Sequence, residues 1–332
     1  MPGELAGLTD EAAPDLATQL AVLDELGWSA IELRTVDHVP IAALTDRAFA
    51  AVADALAVRG VRTVGVASRI GGWCRPVTGP FADDLAELEV LSRRCAVLGT
   101  RYVRIMSYPN DGLPERQWRE RAVARVAVLA ELAGAAGLVL LHENCAGWVG
   151  GDPRRTLDLL GEVASPALKL LFDTGNGVAH GYDGYALLAQ VVDHVAHVHV
   201  KDATPEGFVP PGEGDARVAD CVALLRAEGY RGAWTLEPHL AALPHPAAPA
   251  LRPEPRPGDG ARPTDAAPAG APGGGPRDAG GVRPADHVGP AGGAVSASGV
   301  RRGSGSGSAV EVFVGAGRAM AVLLGGPRSS TS

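Results

Sequence analysis

The chain has 332 residues, a formal net charge of −8 and 46% hydrophobic residues, enough for one large domain or two ordinary ones. Residues 1–240 hold 21 Lys and Arg against 32 Asp and Glu, whereas residues 241–308 carry 12 Pro and 15 Gly, a composition that does not build a packed core. No apolar run is long enough to cross a bilayer and no signal peptide is expected. The four Cys lack CxxC spacing and read as reduced thiols of a cytoplasmic protein, and the acidic balance argues against nucleic acid as the partner.

Strand-like runs fall at residues 4–8, 29–34, 61–68, 102–107, 138–143, 168–173, 195–200 and 233–237, with helical spacing between them. Leu16, Leu20, Leu23 and Leu26 share one helical face, as do Val123, Val126, Leu129 and Leu132. Gly27, Gly60, Gly99, Gly137 and Gly229 stand where helices should stop before the next strand. Strand–helix alternation gives a parallel sheet, and eight strands in this length predict an α/β fold, a (β/α)8 TIM barrel over residues 1–240. A doubly wound sheet is the competitor, but no GxGxxG follows the first strand.

The apolar runs break into functional groups at their C-terminal ends: Glu32 and Arg34, Ser68 and Arg69, Ser107, Glu143 and Asn144, Asp173, His199 and Lys201, Glu237. In a parallel barrel these ends meet at one mouth, where active sites lie. Glu143, Asp173, His199 and Glu237 supply three carboxylates and one imidazole, a hard set suited to a divalent ion: Mn²⁺ foremost, with Mg²⁺, Co²⁺ or Zn²⁺ admitted. Rare residues cluster beside them. Lys201 is one of two Lys, and Asn144 and Asn176 are two of three Asn. Lys201 offers a point charge to a substrate carboxylate, phosphate or hydroxyl, or pairs with Asp202.

The motifs LLHENCAG (140–147), LLFDTGN (170–176), HVHVKD (197–202), PGEGD (211–215), LEPH (236–239) and IELR (31–34) resemble the xylose isomerase-like TIM barrel superfamily of sugar (or sugar phosphate) isomerases, epimerases and related dehydratases. The resemblance covers roughly residues 5–240. It implies metal ligation by Glu143, Asp173, His199 and Glu237. It also implies that Glu143 and Glu237 serve as the acid/base pair at a carbon next to a carbonyl, through a metal-stabilised enediolate. The substrate expected is a small polyhydroxylated carbonyl compound; a homo-oligomer is admitted. The alternatives are an inosose-type dehydratase on the same site or a non-catalytic sugar-binding relative. Related apurinic endonucleases need extra histidines, but Ser68, Ser107 and Asn176 stand at those places, which disfavours DNA repair.

Glu32, Arg34, Asn144, Asn176, His180 and Lys201 are the candidate substrate-binding residues. His197 is expected to face away from His199, as a core or helix-facing residue. Trp73 and Trp148 lie in loops where a ring could pack on a sugar, and Asp215 could cap the next helix. Residues 241–308 read as a disordered low-complexity insertion, a text that a misread GC-rich gene segment would also produce, and 326–332 as a disordered tail. Between them Ser308-Ala-Val-Glu311 forms a capping box. Val310, Phe313, Val314, Gly317, Ala321 and Leu324 share a face of a helix over 309–325, read as the last barrel helix.

Overall fold

A computed structural model describes residues 3–241 and 308–325. Short polar side chains start its helices: Asp15, Thr45, Asp152 and Asp183 each accept a hydrogen bond from a backbone N–H of the turn that follows. Gly27 and Gly60 end α1 (Leu16–Leu26) and α2 (Asp46–Arg59) at φ 67° and 65°, a left-handed conformation that glycine adopts without strain. Further round are α3 (Ala82–Leu98), α4 (Glu115–Ala135), α5 (Pro153–Val163), the short α6 (Asn176–His180), α7 (Gly184–Val191) and α8 (Val218–Ala227).

The strands between them are β1 (Leu5–Gly7), β2 (Ala30–Leu33), β3 (Arg62–Ala67), β4 (Tyr102–Ser107), β5 (Val139–Gly147), β6 (Leu168–Asp173), β7 (Val195–Val200) and β8 (Trp234–Leu236). Each pairs in parallel with its neighbour in sequence, and β8 closes on β1 to complete the barrel. The expected strands are all present, and β5 runs four residues past its expected end. Two small antiparallel ribbons, Thr35–Val36 with Val39–Pro40 and Asp202–Thr204 with Gly207–Val209, rise from the mouth without having been foreseen.

The main core lies between the strands and the helix ring, where Leu23, Leu56, Leu129, Leu140, Leu188 and Leu225 are buried. The lumen differs from the usual packing of branched aliphatic side chains. Its lower end holds Ala6, Ala30 and Val64, and above them the inward positions are mostly charged.

The last helix, α9 (Ala309–Leu323), begins with the expected capping box: Ser308 Oγ accepts from Glu311 N, and Glu311 Oε2 accepts from Ser308 N at 2.7 Å. It buries Phe313, Val314, Ala316, Gly317 and Met320 against α1 and β8. Gly317 meets Leu26 and Trp28, and Phe313 lies over Gly7. Arg226 Nη2 donates to Leu324 O at 2.8 Å and binds the helix end to α8. The insertion expected at 241–308, save its terminal residues Ala241 and Ser308, and the tail at 326–332 lie outside the described residues.

All four cysteines are free; Cys74 is exposed and Cys95, Cys145 and Cys221 are buried. Burial pushes the Cys95 and Cys221 thiols up to about 12, leaving them almost entirely protonated at neutral pH. A thiol reagent at pH 8 is expected to titrate Cys74 rapidly and the other three only after denaturation. A second fast thiol in the folded protein would contradict this packing.

Candidate metal centre

Glu143 in β5, Asp173 at the end of β6, His199 in β7 and Glu237 just past β8 come from four successive strands, and the closed barrel turns them toward one another. None is more than 4% exposed. One donor atom of each lies within 4.8 Å of the others. His199 Nδ1 is 3.1 Å from Glu237 Oε2, 3.9 Å from Glu143 Oε1 and 4.0 Å from Asp173 Oδ2.

Three buried carboxylates this close repel one another unless cations intervene. Arg104 donates to Glu143 Oε2 at 2.8 Å, and Arg34 to Glu237 Oε1 at 2.8 Å. Lys201 Nζ stands 2.9 Å from both Asp173 Oδ2 and Glu237 Oε2. Burial alone would raise all three carboxyls. For Glu143 burial is the largest single influence, but Arg104, His199 and Lys201 together outweigh it and hold the group below the usual range; for Glu237 Lys201, His239 and His199 hold it well below. Burial wins at Asp173, whose carboxyl is raised despite Lys201.

The residues fit a divalent ion. Asp173 Oδ1 accepts from the backbone N–H of Gly175 and Asn176, both at 2.9 Å, whereas its buried Oδ2 accepts no hydrogen bond; Lys201 is near it but misaligned. A buried carboxylate oxygen paired only by charge, beside an imidazole nitrogen and with a lysine ammonium drawn between two of the carboxylates, marks a place for positive charge. Three oxygens and one nitrogen suit a hard cation. Glu11, Glu237 and His239 form a further group at the mouth, and Glu32, His197 and His199 another beneath it.

The expected substrate groups are placed less simply. Arg34 Nε and Nη2 hold Asp10 at 2.9 Å each, and Nη2 also reaches Glu11, so its donors serve carboxylates of the barrel. Glu32 lies below His199 and bonds both histidines of β7, away from the mouth. Asn144 spends its amide on the backbone of Asp173 and on Tyr182, stitching β5 to β6. Asn176 donates to Glu143 Oε1 at 3.2 Å, and Lys201 Nζ lies 3.4 Å from its Oδ1. Glycine is required at 175, because a Cβ there would fall 2.7 Å from Lys201 Cγ.

His180 lies beside the Trp73 ring at 5.9 Å between centroids, with Nε2 3.8 Å from Cys145 Sγ. Trp148 does not join them: it is 2% exposed, donates to Glu115 and packs under Arg119 and Arg155. Asp202 turns from Lys201 to accept from the backbone N–H of Ala203, Gly212, Gly214 and Ala216, and this carboxylate, rather than Asp215, organises the PGEGD loop. Arg217 stands at the N-cap of α8 and makes no side-chain capping bond.

His197 is a correction. Residues two apart on a strand share a face, and His197 points into the lumen below His199, ring centroids 5.7 Å apart. Arg104, Asp10 and Glu11 were not anticipated. Arg104 interrupts the apolar run Val103–Met106 at the parity of the lumen, the one signal that could have revealed it.

His142 faces the other way, into a cavity of about 10 Å³ lined by Thr156, Leu170, Phe172, Leu187 and Val191. Its Nε2 is buried without a partner, and burial lowers its pKa to about 4. The unfolded imidazole takes up a proton near pH 6.5 and the folded one only near 4, so stability falls as pH drops through that window, by about 3 kcal/mol in total. His142→Leu is expected to match wild type in urea at pH 7.5 and to exceed it by roughly 2 kcal/mol or more at pH 4.5. Equal acid sensitivity would exclude His142 as the cause.

A family model described as a xylose isomerase-like TIM barrel matches residues 20–256. The 2-epi-5-epi-valiolone 7-phosphate 2-epimerase of an Actinoplanes species is 30% identical over 155 residues, 46% of this chain and 52% of that protein. An inosose dehydratase from Clostridium tetani is 26% identical over 142 residues, 37% of this chain and 47% of the relative. The chain therefore spans about half the length of these curated relatives in the matched regions. A xylose isomerase-like TIM barrel protein from Mycobacterium smegmatis, solved in complex with magnesium, superposes with a TM-score of 0.56 at 20% identity, covering 72% of this chain and 91% of that one. Among the described residues no helix is long and apolar enough to cross a membrane.

Proposed function

Because the chain belongs to the xylose isomerase-like TIM barrel family, we propose that it is a metal-dependent sugar or sugar-phosphate isomerase or epimerase. The observation that carries this reading is the buried convergence of Glu143, Asp173, His199 and Glu237 at the barrel mouth. These four side chains would hold the divalent ion, Mn²⁺ in our reading. When bound, the ion draws electron density from a substrate carbonyl and acidifies the neighbouring C–H.

Glu143 and Glu237 are the proton-transfer groups. Each keeps one oxygen on a buried arginine, which fixes its direction and leaves it ionised at neutral pH. Such a carboxylate is a weak base, and a substrate acidified by the ion supplies what it lacks. Coming from β5 and β8, on opposite sides of Asp173 and His199, the two can address a carbon from different sides. Lys201 and His180 stand by to bind hydroxyls or a phosphate, with Trp73 packing on the carbon skeleton. The four free thiols fit a cytoplasmic setting.

Loss of water from a keto-inositol is the second reading. It is favoured by the inosose dehydratase relatives and needs the same ion and one carboxylate base. Mn²⁺-loaded protein in D₂O with a panel of ketoses, their phosphates and keto-inositols separates the readings. An isomerase or epimerase incorporates deuterium beside the carbonyl, a dehydratase yields an enone, and a binding protein changes neither. Failure to turn over any of them would overturn the enzymatic reading.

A further inference from the structure

Below the four-residue cluster, and sharing His199 with it, lies a buried triad whose Glu32 and His197 the proposed chemistry does not use. Glu32 Oε2 is 2.7 Å from His197 Nε2 and 3.0 Å from His199 Nε2, and its Oε1 is 3.1 Å from the same His199 nitrogen. Thr235 Oγ1 completes the group, 3.0 Å from His197 Nε2. Glu32, His197 and His199 are at most 2% exposed, and no Lys or Arg pairs with the Glu32 carboxylate among the described residues. A lumen carboxylate matched only by imidazoles is costly to bury, and a hydrophobic side chain would fit the fold more simply.

An ionised carboxylate only accepts hydrogen bonds, so Glu32 keeps a proton on Nε2 of both imidazoles, while Glu237 Oε2, 3.1 Å from His199 Nδ1, draws a second proton onto that ring only until a metal ion takes its place. A neutral ring protonated there has its lone pair on Nδ1. For His199 that is the atom facing Glu237, Glu143 and Asp173. We infer that Glu32 is a positioning residue: it fixes the tautomer and ring direction of His199, so that Nδ1 is the nitrogen offered to the metal ion. His197 shares Glu32 Oε2 with His199, and Thr235 in turn holds His197. Carboxylates that orient ligating histidines in this way commonly contribute one to two orders of magnitude in metal affinity.

The inference rests on the metal-centre reading, and Zn²⁺ alone tests both without a substrate. Wild-type protein is expected to bind Zn²⁺ with measurable heat. Glu32→Gln, whose amide presents a donor as well as an acceptor, should bind about 10- to 100-fold more weakly while keeping its far-UV spectrum. Wild type that takes up no Zn²⁺ removes the metal-centre reading and this inference with it. Wild type that binds while Glu32→Gln binds equally well overturns the inference alone. Should Glu32→Gln fail to fold, ¹⁵N-histidine spectra of Zn²⁺-loaded wild type decide: His199 protonated on Nε2 supports the assignment, and protonation on Nδ1 overturns it.

Discussion

Replacing Glu143 or Glu237 with Gln is expected to reduce deuterium incorporation from D₂O by roughly two to four orders of magnitude, the span typical of a lost general acid or base. Glutamine keeps the shape and can still accept from Arg104 or Arg34, so the loss would come from charge and basicity rather than collapse. The two variants should also differ. Glu237 faces Lys201, His199 and Arg34 together, so its neutralisation leaves more positive charge uncompensated and should lower the melting temperature further. Measurements at saturating Mn²⁺ separate weakened metal binding from lost proton transfer. Undiminished exchange in either variant would remove that residue from the acid/base pair.

Removal of residues 309–325 is expected to cost the protein its cooperative fold. Phe313, Val314 and Met320 are at most 2% exposed, and without them the outer faces of β1, β8 and α1 meet water. Phe313→Ala alone should cost about 3–5 kcal/mol, by lost transfer energy and the cavity left over Gly7. Against a usual stability of about 5–15 kcal/mol, that is a large fraction. Deleting 245–305 instead is expected to leave the melting temperature near wild type, because loop-closure entropy varies slowly with length. Thermal unfolding followed by circular dichroism reads both. A full-strength transition without 309–325 would show α9 to be an accessory.

Much of this architecture was legible because parallel strands announce themselves twice, by apolar runs and by the polar groups that end them. Glu143, Asp173, His199 and Glu237 were readable for that reason, and the capping box at Ser308 located α9 without any tertiary information. Arg104 and Glu32 were harder. Both faces of a parallel strand are buried, so hydrophobicity does not say which parity faces the lumen. His197 needed no knowledge of that parity: two residues from His199 on one strand it shares that face, and the expectation that it points away misapplied the alternation. Asn144 was read as a substrate group because it adjoins Glu143, yet neighbours on a strand point to opposite sides, and its amide is consumed between β5 and β6. The small ribbons at the mouth follow from turn chemistry in the loops rather than from any period in the chain.

The charged lumen has a consequence for how this barrel can be divided. Its ion pairs join distant parts of the chain: Glu32 of β2 to the histidines of β7, Arg104 of β4 to Glu143 of β5, and the Arg34 that follows β2 to the Glu237 that follows β8. A half-barrel ending after β4 would hold Glu32 without either histidine and Arg104 without its carboxylate. Each would have to stay wet, and a wet lumen cannot pack. Barrels filled with aliphatic layers can be cut into halves that retain some cohesion. This one is indivisible at its centre, and its two halves should reassemble only as a complementary pair, never as two copies of one.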